Sequence, residues 1–441
     1  MNKQAWIARA AELGIAELEI YEELSEKREV TWFEGRMDTF VTSSVLGTSL
    51  RGIADGKTAN LALEKVDDAK MDEALALLKE QAAVKPSGDA DELRAPEETE
   101  EVEAADDWVT PTMDEIAEAL AELEKALAAA DSRVTQVTEL GWSEGKSVRT
   151  IVNSKGLDVR DGGRSQILYA GVAVSENGEV KSGYRVEAVR DLKKLDYAAF
   201  AAKAAEDAVH QLGAAPVQSG SYPVIFERRA MTSIFSALTD MFSGERIGQG
   251  ISPLKDAADT AIFSDKITVA DDPRCPDALS IANYDDEGCP TRRKLLVENG
   301  VFRQALHNTR SAKRMKTVST GNGFKAGYAS AVGIRPMNCS ILPGEKSLEE
   351  MMKDMGSGLV ITKLSGLHAG LNHTTTDFSL LCSGYVVENG ERGRDAALIT
   401  VAGNFLDLMK TVIDVGSDLE WEYHRIAAPS IRFASCAISG K

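Results

Sequence analysis

The sequence predicts an α+β fold in two parts, an amino-terminal half built as an α/β sandwich-like unit and a strand-rich carboxy-terminal domain. Three observations carry that expectation. Strands mix with segregated helices and show no regular βαβ rhythm. Three Glu-Asn-Gly runs, at 176–178, 298–300 and 388–390, punctuate apolar segments as tight hairpin turns. Two composition breaks interrupt the chain, an acidic one at about 86–110 and a small-residue one at 213–222. The expected domains are therefore 1–213, with the acidic linker about 86–110 inside it, and 214–441.

From the amino terminus, 3–13 reads as a helix stopped by Gly14, followed by strands at 17–24 and 30–33. Residues 48–53 and 59–63 flank Asp55-Gly56, a pair that tolerates positive φ, and so form a hairpin before a helix over 66–80. Between Asp89 and Asp107 ten acids face one base, Arg94, a net of −9 in nineteen residues, which reads as a solvated linker. Thr112-Met113-Asp114-Glu115 is a capping box, and Ile116, Leu120, Leu123 and Leu127 then share one helical face. Strands at 147–152 and 166–174 precede an alanine-rich helix over 196–212. After the second break, a buried strand at 224–226 leads into a helix with Met231, Ile234, Phe235, Leu238, Met241 and Phe242 at helical spacing. Short helices are expected at 347–355 and 404–415.

Composition narrows the function. The 441 residues carry a formal charge of −19 with 43% hydrophobic and 27% charged residues, which sets aside disordered, collagenous and coiled-coil classes. No run of 18 apolar residues occurs and Met1-Asn2-Lys3-Gln4-Ala5-Trp6 lacks a signal-peptide core, so a cytoplasmic protein without membrane contact is expected. The acidic excess disfavours nucleic acid as a direct partner. Cys275, Cys289, Cys339, Cys382 and Cys436 form no CxxC pair and read as free thiols of a reducing compartment.

Chemistry-bearing residues are few. The histidines are His210, His307, His368, His373 and His424, and neither HExxH nor HExxxH occurs, nor a GxSxG elbow or a phosphate loop. Gly321-Asn322-Gly323 with Gly327 matches only half a dinucleotide fingerprint and lacks a βαβ setting. His368, His373 and Asp377, with Cys382 close by, are candidate metal ligands, with a polar loop as the competing reading. Asp285-Asp286-Glu287-Gly288 with Arg292 and Arg293 reads either as a charged turn or as a polar site ordered by carboxylate–guanidinium pairs.

Several short runs, in order, resemble the TldD/PmbA family, also called the modulator of DNA gyrase family. They are 285–288 with 291–293, Thr320-Gly321-Asn322, 358–362, Thr376-Asp377-Phe378-Ser379, 384–390 and Val401-Ala402-Gly403-Asn404, with 47–51 and Asp55-Gly56-Lys57 in the amino half. The resemblance implies a cytosolic peptidase system of two paired chains, in which the catalytic kind carries HExxxH on a helix and a cysteine ligand near its end. Here Phe235, Ser236 and Asp240 stand at the HExxxH positions, and 418–424 has no cysteine. The chain thus resembles the TldE/PmbA kind, which lacks the metal site. That resemblance implies a non-metal-binding subunit, itself without a cofactor, whose HExxxH-bearing TldD-like paralogue holds zinc. The pair would process or degrade unfolded peptides, in peptide maturation or antitoxin removal, and self-association remains open to the isolated chain. Two alternatives stand beside it: a self-sufficient homo-oligomeric hydrolase with a metal relocated to His368, His373 and Asp377, and a non-enzymatic peptide-binding or regulatory protein.

Overall fold

A computed structural model describes residues 1–85, 92–103 and 107–441. Its amino half is one six-stranded antiparallel sheet in the order β3-β2-β1-β4-β5-β6. The strands are β1 (Glu17–Phe33), β2 (Arg36–Ala54), β3 (Lys57–Leu63), β4 (Val134–Asn153), β5 (Asp158–Glu176) and β6 (Glu179–Ala188). Side chains alternate faces along a strand, so Leu18, Ile20 and Val30 share one face while Glu19 and Tyr21 share the other.

Helices cover the apolar face. α1 (Lys3–Glu12) and α2 (Met71–Ala83) bury Trp6, Ala10, Leu75 and Leu78 against Leu18, Ile20 and Leu50. α3 (Met113–Ala129) and α4 (Tyr197–Val209) bury Leu120, Leu123, Leu127 and Phe200 against Val30, Leu140, Trp142 and Leu168. The capping box forms as read: the Thr112 hydroxyl accepts from Glu115 N–H and the Glu115 carboxylate accepts from Thr112 N–H. The opposite face is polar and register-matched, pairing Glu19 with Arg51, Tyr21 with Ser49 and Glu23 with Arg149.

Residues from 220 onward make a second six-stranded sheet, in which β7 (Gly220–Phe226) lies parallel to Gly358–Ser365 and antiparallel to Ile431–Ser439. An extra pairing between Glu391–Asn404 and Ile431–Ser439 closes this sheet on itself around a large core. α5 (Arg228–Leu238) follows β7 and sinks Met231, Ile234, Phe235 and Leu238 into that core. A five-stranded sheet carries Val269–Asp271, Lys294–Glu298 and Cys339–Ile341 beside it.

Several expectations shift. The strands expected at 17–24 and 30–33 are one, because the polar run 25–29 bonds to neighbours on both sides through β2 and β4. The strands expected at 147–152 and 166–174 are likewise parts of β4 and β5. The helix over 66–80 starts at Met71 after a short 3-10 turn at Asp68–Lys70, and the one over 404–415 stops at Lys410 before the strand Val412–Val415. The three Glu-Asn-Gly turns hold: Asn177, Asn299 and Asn389 have φ of 51°, 47° and 55°, each followed by a left-handed glycine.

The acidic segment departs most from expectation. Part of it lies outside the described residues, but 92–103 is a strap rather than a solvated linker. Leu93 is buried, and its N–H donates to Glu17. Val102 exchanges two hydrogen bonds with the Asn283 side chain, Tyr284 donates to Glu101, and Arg274 reaches Glu100 O and the Thr99 hydroxyl. The strap's acids also find cations, Arg292 pairing with Glu97. The charge that composition read as solvation is in part a set of contacts with distant segments of the same chain.

Candidate functional site

Of the family-motif positions, Phe235 and Ser236 lie on α5 and Asp240 in the 3-10 turn Thr239–Phe242 that follows it. Phe235 is wholly buried and its ring belongs to the core, whereas Ser236 and Asp240 are exposed. The three side chains point to different surroundings, and Phe235 carries no donor atom. The segment 418–424 packs beside the first turns of α5: Arg228, Arg229, Thr232 and Ser233 share a small pocket with Glu420, Glu422, Tyr423 and His424. There the Arg228 guanidinium pairs with Glu420 at 2.8 Å and Glu422 at 2.7 Å, and Asp418 accepts from the Ser430 N–H and hydroxyl. The carboxylates of this segment are thus satisfied by protein cations and hydrogen bonds. Burial lowers the pKa of His424, whose ring stacks on Tyr423 at 3.8 Å between centroids. Cys436 is buried in the core, where burial pushes its thiol up to about 12.

Next to this pocket lies a cleft of about 580 Å³. Its walls are Ser182, Gly183 and Tyr184 of edge strand β6, His210 and Asp207 at the end of α4, Arg229 and Ser233 of α5, and Thr362 to Leu364. Arg229 grips Asp207 through two hydrogen bonds of 2.7 and 3.0 Å, and His210 sits between Asp395 and Glu206. The close approach of α4 to β6 depends on Gly183, where a Cβ would lie 2.3 Å from Ala204 O.

The remaining sequence candidates fall elsewhere. His368 and His373 are exposed, Asp377 already accepts from Asn404 at 2.9 Å and Thr375 at 2.6 Å, and Cys382 is buried in the core with its thiol pushed up to about 12. Among the described residues, no three His, Cys, Asp or Glu side chains are arranged to hold a metal ion. Gly321-Asn322-Gly323 is a structural joint: Asn322 is fully buried and donates to Asp271 at 2.8 Å, while Lys294 pairs with the same Asp271. His307 is buried against Gly244, where a Cβ would lie 2.1 Å from the ring.

Asp285-Asp286-Glu287-Gly288 is a turn, closed by the Gly288 N–H donating to Asp285 O at 3.0 Å, but it is buried and is not partnered by Arg292 and Arg293, which reach Glu97 and Asp272 instead. It is a buried polar centre docked onto the polar face of the amino-terminal sheet. Asp285 accepts from the N–H groups of Glu287, Cys289 and Gly323, and burial first, then Glu287, pushes its pKa up to about 8 against those donors. Glu287 accepts from Thr309 N–H and from Arg51, whose other arm pairs with Glu19 at 2.8 Å. Asp286 accepts from Arg149 at 2.6 Å and from Lys325 N–H at 2.7 Å. Sequence reasoning missed Glu19, Arg51, Arg149 and Lys325. A signal was present, since Glu19 and Arg51 are charges set between apolar neighbours in strands, where only a polar partner makes burial affordable.

Comparison with known proteins agrees with this architecture. Residues 219–440 match the PmbA/TldA metallopeptidase C-terminal domain and residues 106–212 the PmbA/TldA metallopeptidase central domain. The chain is 29% identical to the metalloprotease PmbA of Escherichia coli over 70% of its own length and 66% of that protein's. It is 28% identical to a metalloprotease of Methanocaldococcus jannaschii over 58% of this chain and 56% of that one. Among solved structures, a putative modulator of DNA gyrase from Thermotoga maritima superposes with a TM-score of 0.90 at 29% identity, covering 99% of each chain. TldE from Thermococcus kodakarensis superposes with a TM-score of 0.91 at 26% identity, covering 99% of this chain and 100% of that one. With family models spanning both halves of a matching fold, the chain belongs to the PmbA/TldD family of metallopeptidases.

Proposed function

We propose that this chain is the non-metal-binding subunit of a TldD/TldE-type heteromeric metallopeptidase acting on unfolded peptides, with zinc held by an HExxxH-bearing paralogue. The observation that carries the reading is Phe235. A peptidase zinc needs about three protein ligands, an open coordination position and a base for its water. A phenyl ring sunk in the core supplies none of these, and Ser236 and Asp240 face solvent away from it. The residues present do not fit the metal.

Two further features support the paired role. The half of β2 from 36 to 46 is exposed, and Phe40, Val41, Val45 and Leu46 each keep about half their surface in solvent, at 48%, 49%, 50% and 54%. Such an apolar strip on a stretch of β2 that β3 leaves uncovered suits a protein interface. The cleft beside α5 presents the edge strand β6, and an edge strand can hold an extended peptide through main-chain hydrogen bonds with little regard for its sequence. In this reading the chain positions peptide while its partner performs the chemistry. Co-expression with a paralogue bearing HExxxH tests it: the two chains are expected to co-purify, and chelator-sensitive hydrolysis by this chain alone would overturn the proposal.

A further inference from the structure

The polar face of the amino-terminal sheet does not close completely on the carboxy-terminal half. Beside the Asp286–Arg149 pair it leaves a pocket of about 350 Å³, walled by Tyr21, Phe324 and Met337 and ringed by four cations, Arg149, Lys325, Arg335 and Arg425. Among the described residues two carboxylates, Asp286 and Glu23, line it. Arg149 is spent on Asp286 and on Asp161 at 3.5 Å. Lys325 donates to the Ser49 hydroxyl at 2.7 Å and lies 4.1 Å above the Tyr21 ring, without a carboxylate within ion-pair distance among the described residues. The guanidinium groups of Arg335 and Arg425 have neither a hydrogen bond nor an ion pair among the described residues, and both keep solvent access.

These cations stand on fixed backbone. Arg335 N–H donates to Asn322 O at 3.0 Å, and its own carbonyl accepts from the buried Asn322 side chain. Arg425 O accepts from Cys339 N–H, next to the strand Ile426–Ala427. Lys325 N–H is held by Asp286. Burial lowers the pKa of Lys325 to about 8, against the pull of Glu19. An anion entering the pocket would meet guanidinium forks that have no protein partner among the described residues, the geometry that suits a carboxylate. The apolar wall would take the carbon skeleton that carries it.

We propose that this pocket binds the carboxylate of a peptide, gripped by Arg335 and Arg425 and balanced by Lys325. The carboxylate could be a free C-terminus or an acidic side chain, and the pocket recognises what the two share. The peptide as carrier rests on the function proposed above; the anion site rests on the pocket alone.

Calorimetry on the full chain tests it with three short peptides of one sequence: a free acid, its C-terminal amide, and an amide with one glutamate side chain. At least one carboxylate-bearing peptide is expected to bind tenfold or more tightly than the neutral amide, and whichever does so identifies the source. Arg335→Gln with Arg425→Gln is expected to lower that affinity at least tenfold at unchanged circular dichroism. Should this double variant misfold, Arg335→Lys with Arg425→Lys keeps the charge, loses the forks and is expected to weaken binding measurably. Equal affinity for all three peptides, no binding by any, or unchanged affinity in a folded variant overturns the proposal. Co-purification of the variants with the HExxxH paralogue, read separately, shows whether pairing survives a failure of this site.

Discussion

Arg51→Met removes the guanidinium that bridges Glu19 at 2.8 Å and Glu287 at 3.2 Å. Both carboxylate side chains are only 2% exposed, so water cannot replace the lost cation. Removing one partner of a buried ion pair costs about 3–5 kcal/mol, chiefly because the charge left behind is uncompensated. The assay is urea unfolding at pH 8 followed by tryptophan fluorescence, since Trp6 and Trp142 are buried on the other face of the same sheet. Acid should relieve the defect. Burial already raises the Glu19 pKa above 4.5, against the pull of Arg51, and losing Arg51 raises it further. A carboxyl with a raised folded pKa costs stability progressively as pH rises from its unfolded value through its folded one. The deficit of Arg51→Met relative to the parent is therefore largest near neutrality and shrinks toward pH 4.5. Adding Glu19→Gln to the variant should recover part of the loss. A loss under about 1 kcal/mol at pH 8, or a deficit that grows on acidification, would refute the reasoning.

Other perturbations reach different parts of the account. Lys325 titrates near 8 in the fold against 10.5 in the open chain, so the parent should gain stability from pH 8 to 10.5, by at most about 3 kcal/mol; Lys325→Met should flatten that rise in parallel urea titrations. Phe235→Ala should cost about 3–5 kcal/mol by opening a core cavity, measured by the same unfolding, whereas Phe235→His with Asp240→His should retain no zinc on metal analysis. Arg274→Ala should free the strap from its contacts at Thr99 and Glu100 and speed proteolytic nicking within 92–103, read by mass spectrometry.

Much of the fold was legible because its signals are local. The capping box at Thr112, the three Glu-Asn-Gly turns and the apolar stripe of α5 each state their geometry within a few residues. Strand lengths were not, because the polar run 25–29 holds β conformation only through partners far away in sequence. The same limit hid the polar centre. Asp285, Asp286 and Glu287 read as a charged turn or as a polar site paired with Arg292 and Arg293, but Glu287 and Asp286 take their cations from Arg51 and Arg149, 236 and 137 positions away. At the family positions, the core placement of Phe235 was legible from the apolar stripe of α5, whereas the exposure of Ser236 and Asp240 came from the packed structure. The pocket at Arg335 and Arg425 draws on seven separate stretches of chain, and no spacing rule joins them.

The central claim is that this chain carries no peptidase metal and contributes through pairing. Zinc per chain, measured together with peptide hydrolysis for the purified chain alone and for its complex with an HExxxH paralogue, tests that claim most directly. The account predicts less than stoichiometric zinc and no hydrolysis for the chain alone, and chelator-sensitive hydrolysis for the complex. One tightly held zinc per isolated chain with sustained cleavage would contradict it.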